Sequence, residues 1–576
     1  MADLTESPSR ALTRRSFLVS GSVALAGVSR VVDAWGQSTS PVSSNVEVET
    51  SYGRVRGSQG NGLVTFKGIP YAGSVAGSNR FKAAPHLQPW AGVRDALQFG
   101  PPALQPGRNR ANEPAFAEDC LFLNVWTPAA DGRKRPVMFY NHGGGFTTGS
   151  AGATYQDGGN LARTWDVVVV ATNHRLGLMG YLYLGHLGGE EYETSGNQGL
   201  LDIRDGLHWV QNNIERFGGD PHNVMIFGES GGGAKTSCLY AMPSAAPYFN
   251  KASIESGPGI RVYPLESAIE TTSMVLKQLG LEKSQWRQLL EVPANKLVDV
   301  QVALGQSRSG PLMPTGGRKG ISGNAVPGGF GPVRDGRIMP SHPFDPAAPA
   351  VSRQKPLIVG YNRDEMNFFF AQNGATDVYS LNEATLKARL EAELGENAAP
   401  VLAAYRKSRP DASPADLYVA IASTQFAGTG SITIAERKHA QRGAPVFMYV
   451  FTHESDRLIP GTQHVLGAAH ATEIVYKFNN VPRPNDAPSG QTPALGATSG
   501  DSRPSSVKAA RAMSEFWSTF ARTGRPSAEG QPGWPFYTTD KRATMLIDAE
   551  CKVVNDPFSL ERQVWNQVDA STDRPA

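Results

Sequence analysis

Val224-Met225-Ile226-Phe227-Gly228-Glu229-Ser230-Gly231-Gly232 decides how this chain folds. An apolar run ends in glycine, a serine follows one residue later, and small residues come next. That order is strand, sharp turn, helix. A serine on such a turn is lifted from the backbone at the end of a buried strand. Its hydroxyl can reach a carbonyl group, and the next helix turns its N-terminus toward any anion that forms. Ser230 therefore reads as a nucleophile. The pattern is weak by itself, since a chain with 62 glycines in 576 residues should hold about 0.5 chance copies of Gly-x-Ser-x-Gly.

Support lies upstream. His142-Gly143-Gly144-Gly145-Phe146 follows a second apolar run, Val137-Met138-Phe139-Tyr140. Three successive glycines let backbone N–H groups approach an oxyanion without side-chain obstruction. Further runs rich in β-branched residues occur at 167–172, 356–360 and 446–451, with helical periodicity at 204–217. Alternation of this kind predicts an α/β fold with buried parallel strands and crossovers, whose functional residues follow the carboxyl ends of the strands. Ser230 and the triple glycine both stand at such ends.

The 55 lysines and arginines nearly balance the 52 acidic residues, for a net charge of +3, and they are spread along the chain. No basic face for nucleic acid emerges, and a small, fairly neutral substrate fits best. Thr13-Arg14-Arg15-Ser16-Phe17-Leu18 precedes a mildly apolar stretch that is too short to span a bilayer. It resembles a twin-arginine export signal, so residues 1–36 are expected to be a signal peptide and the protein to be periplasmic or secreted, with no permanent membrane anchor. Residues 37–576 are expected to form a single domain, because no charged or low-complexity linker divides them. Two segments rich in Gly, Pro and Ser, 305–331 and 481–506, are expected to be loops, candidates for bordering an active-site gorge or acting as lids, with an ordinary surface loop the preferred reading for the second. The three cysteines, Cys120, Cys238 and Cys551, allow at most one disulfide. No zinc-ligand spacing and no P-loop is present, so neither a metal nor a cofactor is expected.

A serine hydroxyl needs a base, and that base needs a carboxylate to hold its tautomer. After the run at 356–360 come Asp364 and Glu365; after that at 446–451 come His453, His464 and His470. Spacing leaves these alternatives open.

Five blocks settle the choice by resemblance: Phe66-Lys67-Gly68-Ile69-Pro70-Tyr71-Ala72, Asn79-Arg80-Phe81, Glu118-Asp119-Cys120-Leu121-Phe122-Leu123-Asn124-Val125-Trp126, Asn197-Gln198-Gly199-Leu200-Leu201-Asp202, and Phe217-Gly218-Gly219-Asp220-Pro221. Together they resemble the type-B carboxylesterase family from about residue 45 to 568. The resemblance implies an α/β-hydrolase fold, a mostly parallel central sheet with helices on both faces and large insertions forming an active-site gorge. It also implies a serine carboxylic-ester hydrolase with Ser230, Glu365 and His470 as triad and Gly144, Gly145 and Gly231 as oxyanion donors. An amidase or peptidase on the same fold, and a non-catalytic adhesion module, are the alternatives. Arg80 with Glu118 and Arg175 with Asp202 are implied as structural ion pairs.

The chain departs from the family at several positions. Cys120 lacks its usual upstream partner, so it is expected to be a buried apolar residue. The tryptophan that stacks on choline in cholinesterases is missing, which disfavours choline esters. Gly231 stands where alanine is usual and is expected to loosen the turn. Ala471 stands where glycine is common. Glu229 is expected to be a buried support with its side chain turned to the opposite side of the backbone. Phe146, Phe330, Phe368, Phe369 and Phe426 are candidates for lining an apolar pocket.

Overall fold

Strand Val446–Phe451 is apolar at every position because both faces of its sheet are covered, and its period of two shows in where the side chains go. Val446, Met448 and Val450 enter one core layer, while Phe447, Tyr449 and Phe451 enter the other. Val224 and Ile226 likewise part from Met225 and Phe227. The first layer is closed by helix Gln198–Asn213, through Leu200, Ile203, Leu207 and Val210, and by helix Gly231–Ala241. Helix Pro504–Thr523 covers the second with Met513, Phe516, Trp517 and Phe520. In this computed structural model the described residues are 44–108, 110–306, 327–482 and 501–572.

Among the described residues the central sheet has 13 strands, one of which, Val93–Asp95, pairs off the main path with Gly53–Gly60. Its parallel part runs in space as Val168–Thr172, Arg135–Asn141, Gly219–Glu229, Lys251–Glu255, Leu357–Asn362, Val446–Phe451 and Ala543–Ile547. Antiparallel strands Ser44–Thr50, Gly53–Gly60, Leu63–Pro70 and Phe122–Thr127 extend one side, and Lys552–Asn555 ends the other. All five expected runs are strands. The helix expected at 204–217 begins earlier, at Gln198, and finishes as a 3-10 turn over Ile214–Phe217. A separate helical layer follows the strand Leu357–Asn362, with Phe370, Leu386, Leu390, Val401, Tyr405 and Trp565 in its own core. The fold is that of an α/β-hydrolase, as the resemblance implied.

Buried ion pairs fasten the layers. Arg175 holds Asp202 at 2.6 Å with both side chains almost wholly enclosed, and Arg80 grips both Glu118 oxygens at 2.6 Å. Lys477 pairs with Glu255, whose other oxygen accepts from Trp517 Nε1 at 2.6 Å. Cys120, Cys238 and Cys551 are free, buried thiols, and burial pushes Cys551 up to about 11. The proposed signal peptide lies outside the described residues, as do most of 305–331 and 483–500 of the second loop.

Removing one partner of an enclosed pair strands the other charge without water. Asp202→Asn is therefore expected to cost about 3–5 kcal/mol of stability, read as a lower urea midpoint with unchanged slope.

Candidate active site

The strand Gly219–Glu229 delivers Ser230 in a conformation most side chains avoid, φ 58° and ψ −124°. Such backbone persists only where neighbours enforce it. Here Ser230 N–H donates to Glu255 O at 2.9 Å, and Ser230 O accepts from Ala234 N–H at 3.1 Å, starting the helix Gly231–Ala241. A Cβ on Gly232 would lie 2.0 Å from Asn141 O, and one on Gly231 would lie 2.2 Å from Gly145 O. Gly231 lets the triple-glycine loop rest directly on the helix.

That loop leaves strand Arg135–Asn141, which pairs in parallel with the serine strand, Asn141 opposite Gly228. Each peptide plane is rigid, so fixing one carbonyl points the next N–H the other way. The Gly143 carbonyl accepts from His142 Nδ1 at 2.9 Å, and the Gly144 carbonyl accepts from Thr148 N–H at 3.0 Å. These bonds set the directions of the Gly144 and Gly145 N–H groups, which meet no acceptor among the described residues. With the orphan N–H groups of the helix start, they form a cluster of free donors beside Ser230.

Glu365 follows strand Leu357–Asn362 directly, and His470 comes from the long loop after strand Val446–Phe451, just past the small strand Val465–Gly467. Glu365 Oε2 bonds His470 Nδ1 at 2.6 Å, and His470 N–H donates to Glu365 O at 3.2 Å. Both side chains are buried. The competing residues are engaged elsewhere: His453 with Asp548 (2.6 Å) and Ser506 (2.9 Å), His464 with Asp416 (3.4 Å), and Asp364 with the Ala468 N–H (2.9 Å). Ala471 has φ 64°, which explains the glycine common at this position in relatives.

Glu229 departs from expectation. It is buried, but its Oε1 lies 3.3 Å from His470 Nε2 instead of turning to the opposite side of the backbone. The imidazole thus sits between two carboxylates, with its second nitrogen beside the residue that carries Ser230. Phe368, Phe369 and Phe426 surround the ring with centroids 5.8, 4.8 and 5.2 Å away. Phe146 and Phe330 instead line a cleft of about 380 Å³ next to Gly145, with Tyr263 and Val302. Among the described residues no helix is long and apolar enough to cross a membrane.

Burial dominates the charge states here. It pushes the Glu365 carboxyl up to about 8 against the lowering effect of the Asn362 N–H bond at 2.8 Å. It lifts Glu473 to about 7, opposed by Lys477, and it raises Glu229 well above the carboxylate range. Sequence reading gave Glu473 no role, although its position three after His470 opening a helix was a usable signal. A carboxyl raised in the folded state contributes stability that is full below the unfolded value near 4.3 and lost as pH rises through the folded value. The melting temperature is therefore expected to fall between pH 5 and 8, and Glu473→Gln to flatten that slope in thermal scans.

A strained serine between a parallel strand and a helix, free backbone donors beside it and a carboxylate-held histidine beyond the same end of the sheet stand together on the α/β-hydrolase fold of a hydrolase. The chain belongs to the carboxylesterase family, whose sequence profile matches residues 44–565. It is 34% identical to the para-nitrobenzyl esterase of Bacillus subtilis (strain 168), covering 90% of this chain and 97% of that one. Its identity to the phenmedipham hydrolase of Pseudarthrobacter oxydans is 30%, over 87% and 94%. A crystal structure of a Geobacillus stearothermophilus carboxylesterase superposes with a TM-score of 0.74 at 34% identity, covering 90% of this chain and 99% of that one. The protein is a carboxylic-ester hydrolase.

Proposed function

We propose that the protein cleaves small to medium, fairly neutral esters through Ser230, His470 and Glu365 by way of an acyl-enzyme. The observation that carries this reading is the buried 2.6 Å bond between Glu365 and His470, on the sheet edge where the Ser230 turn emerges. His470 Nε2 takes the Ser230 proton as Oγ attacks the ester carbonyl. The resulting oxyanion is met by the N–H groups of Gly144, Gly145 and Gly231, each worth about 3 kcal/mol of transition-state stabilisation. Collapse expels the alcohol oxygen, which collects the proton from His470. Water, deprotonated by the same histidine, then attacks the acyl carbon and frees the acid. Glu365 holds the Nδ1–H tautomer and stabilises the imidazolium, and the second carboxylate, Glu229, faces Nε2.

The cleft beside Gly145 is walled by Phe146, Tyr263 and Phe330, which supports an apolar acyl or alcohol group of moderate size. The Arg14-Arg15 signal supports export, with the mature, single-domain chain starting near Gln37. Lysine at both arginines is expected to keep the protein in the cytoplasmic fraction; unchanged export would remove that part of the reading.

Hydrolysis of p-nitrophenyl esters from acetate to palmitate tests the chemistry. Ser230→Ala is expected to lower kcat/KM by at least about 10⁴-fold and Glu365→Gln by about 10⁴-fold, and an organophosphate is expected to label Ser230 in a peptide mass map. A label on another residue, or substantial activity in the alanine variant, would sink the assignment. Matched anilides are expected to turn over far more slowly than the esters.

A further inference from the structure

Lys235 lies one turn into the helix Gly231–Ala241, every residue of which is buried, and its own side chain is wholly enclosed. Its Nζ donates to the His142 carbonyl at 2.9 Å, and among the described residues it forms no ion pair with a carboxylate. The titratable groups facing it are His142 and His174, whose rings stack 4.5 Å apart. Burial, and then Lys235 itself, hold both well below the usual histidine range. An ammonium enclosed without a counter-charge is costly. Burial accordingly pushes Lys235 down to about 7.

The position of its acceptor gives this group a use. His142 opens the triple-glycine loop, and its carbonyl is the first of three in a row that are tied down, with those of Gly143 and Gly144. The His142–Gly143 peptide plane sets where the loop starts, and Gly143 lies against the nucleophile, a Cβ there falling 3.5 Å from Ser230 Cβ. We propose that Lys235 is a positioning residue of the oxyanion loop, its ammonium pinning the His142 carbonyl and holding a positive charge behind the glycines while negative charge builds in front of them. The proposal rests on the reading of those glycines as the oxyanion donors. In the resting enzyme the charge has no counter-ion; as the tetrahedral anion forms it gains one across the loop. Only an interaction that is stronger in the transition state than before it accelerates the chemical step.

Lys235→Met keeps the length of the side chain and removes the charge and the donor. With kcat normalised by organophosphate titration of active sites, the variant is expected to melt at the same or a higher temperature than the parent. Its kcat is expected to fall about tenfold, less than for direct loss of a donor, with KM within twofold. A purely structural lysine would move stability and activity down together, or move neither, so unchanged kcat per titrated site overturns the proposal. The pH profile supplies a second readout: the ratio of wild-type to Lys235→Met kcat, in which the titrations of Glu365 and Glu473 cancel, is expected to decline between pH 6 and 8 as the ammonium is lost, and a ratio that stays flat there also overturns it. Ser230→Ala assayed in parallel separates the two failures. An active alanine variant removes the site reading itself, whereas an inactive one beside a fully active Lys235→Met removes only the role of the lysine.

Discussion

Two backbones meet without side chains between them: the start of the helix after Ser230 and the loop after strand Arg135–Asn141. A Cβ on Gly231 or Gly232 would come within 2.2 Å of that loop or of Asn141, closer than any atom pair tolerates. The parallel register of the two strands, Asn141 beside Gly228, sets this approach. The glycine N–H groups from one strand end and Ser230 from the next are thereby fixed relative to each other by the sheet itself. The proposed oxyanion site needs this, because donors that must reorient during the reaction lose most of their value.

The second demand is electrostatic. His470, Glu365, Glu229, Glu473, Glu255 and Lys477 are all buried at the carboxyl end of the sheet, and burial pushes Glu365, Glu229 and Glu473 toward the neutral form. Specific partners hold each group in place: Lys477 and Trp517 bind Glu255, Asn362 binds Glu365 and Glu473, and His470 lies between Glu365 and Glu229. Glu365 at about 8 and Glu473 at about 7 therefore titrate near neutral pH within hydrogen-bonding distance of the same buried network.

Much of this was legible in the chain. The five apolar runs are strands because a fully covered sheet demands unbroken hydrophobicity, and the serine turn and triple glycine carry their geometry in residue type. The antiparallel strands before residue 130 were not singled out, and several are half exposed with polar residues throughout, Ser44–Thr50 among them. Spacing could not select His470 over His453, because what removes His453 is Asp548, 95 residues away. Family likeness made that choice. The Glu229 side chain was misjudged because its direction depends on the strained Ser230 turn and on where His470 returns to the sheet, neither of which is local. Lys235 stood in plain view among small residues, but only the enclosed helix shows that it has no route to water.

The strand ends that carry Ser230, Glu365 and the glycines belong to the sheet, whereas the cleft beside Gly145 draws Tyr263, Val302 and Phe330 from segments inserted between strands. Chemistry and fit are therefore written in separate parts of the chain. Changes in those insertions can reshape what the cleft admits while the proposed catalytic groups, fixed by sheet register, keep their places.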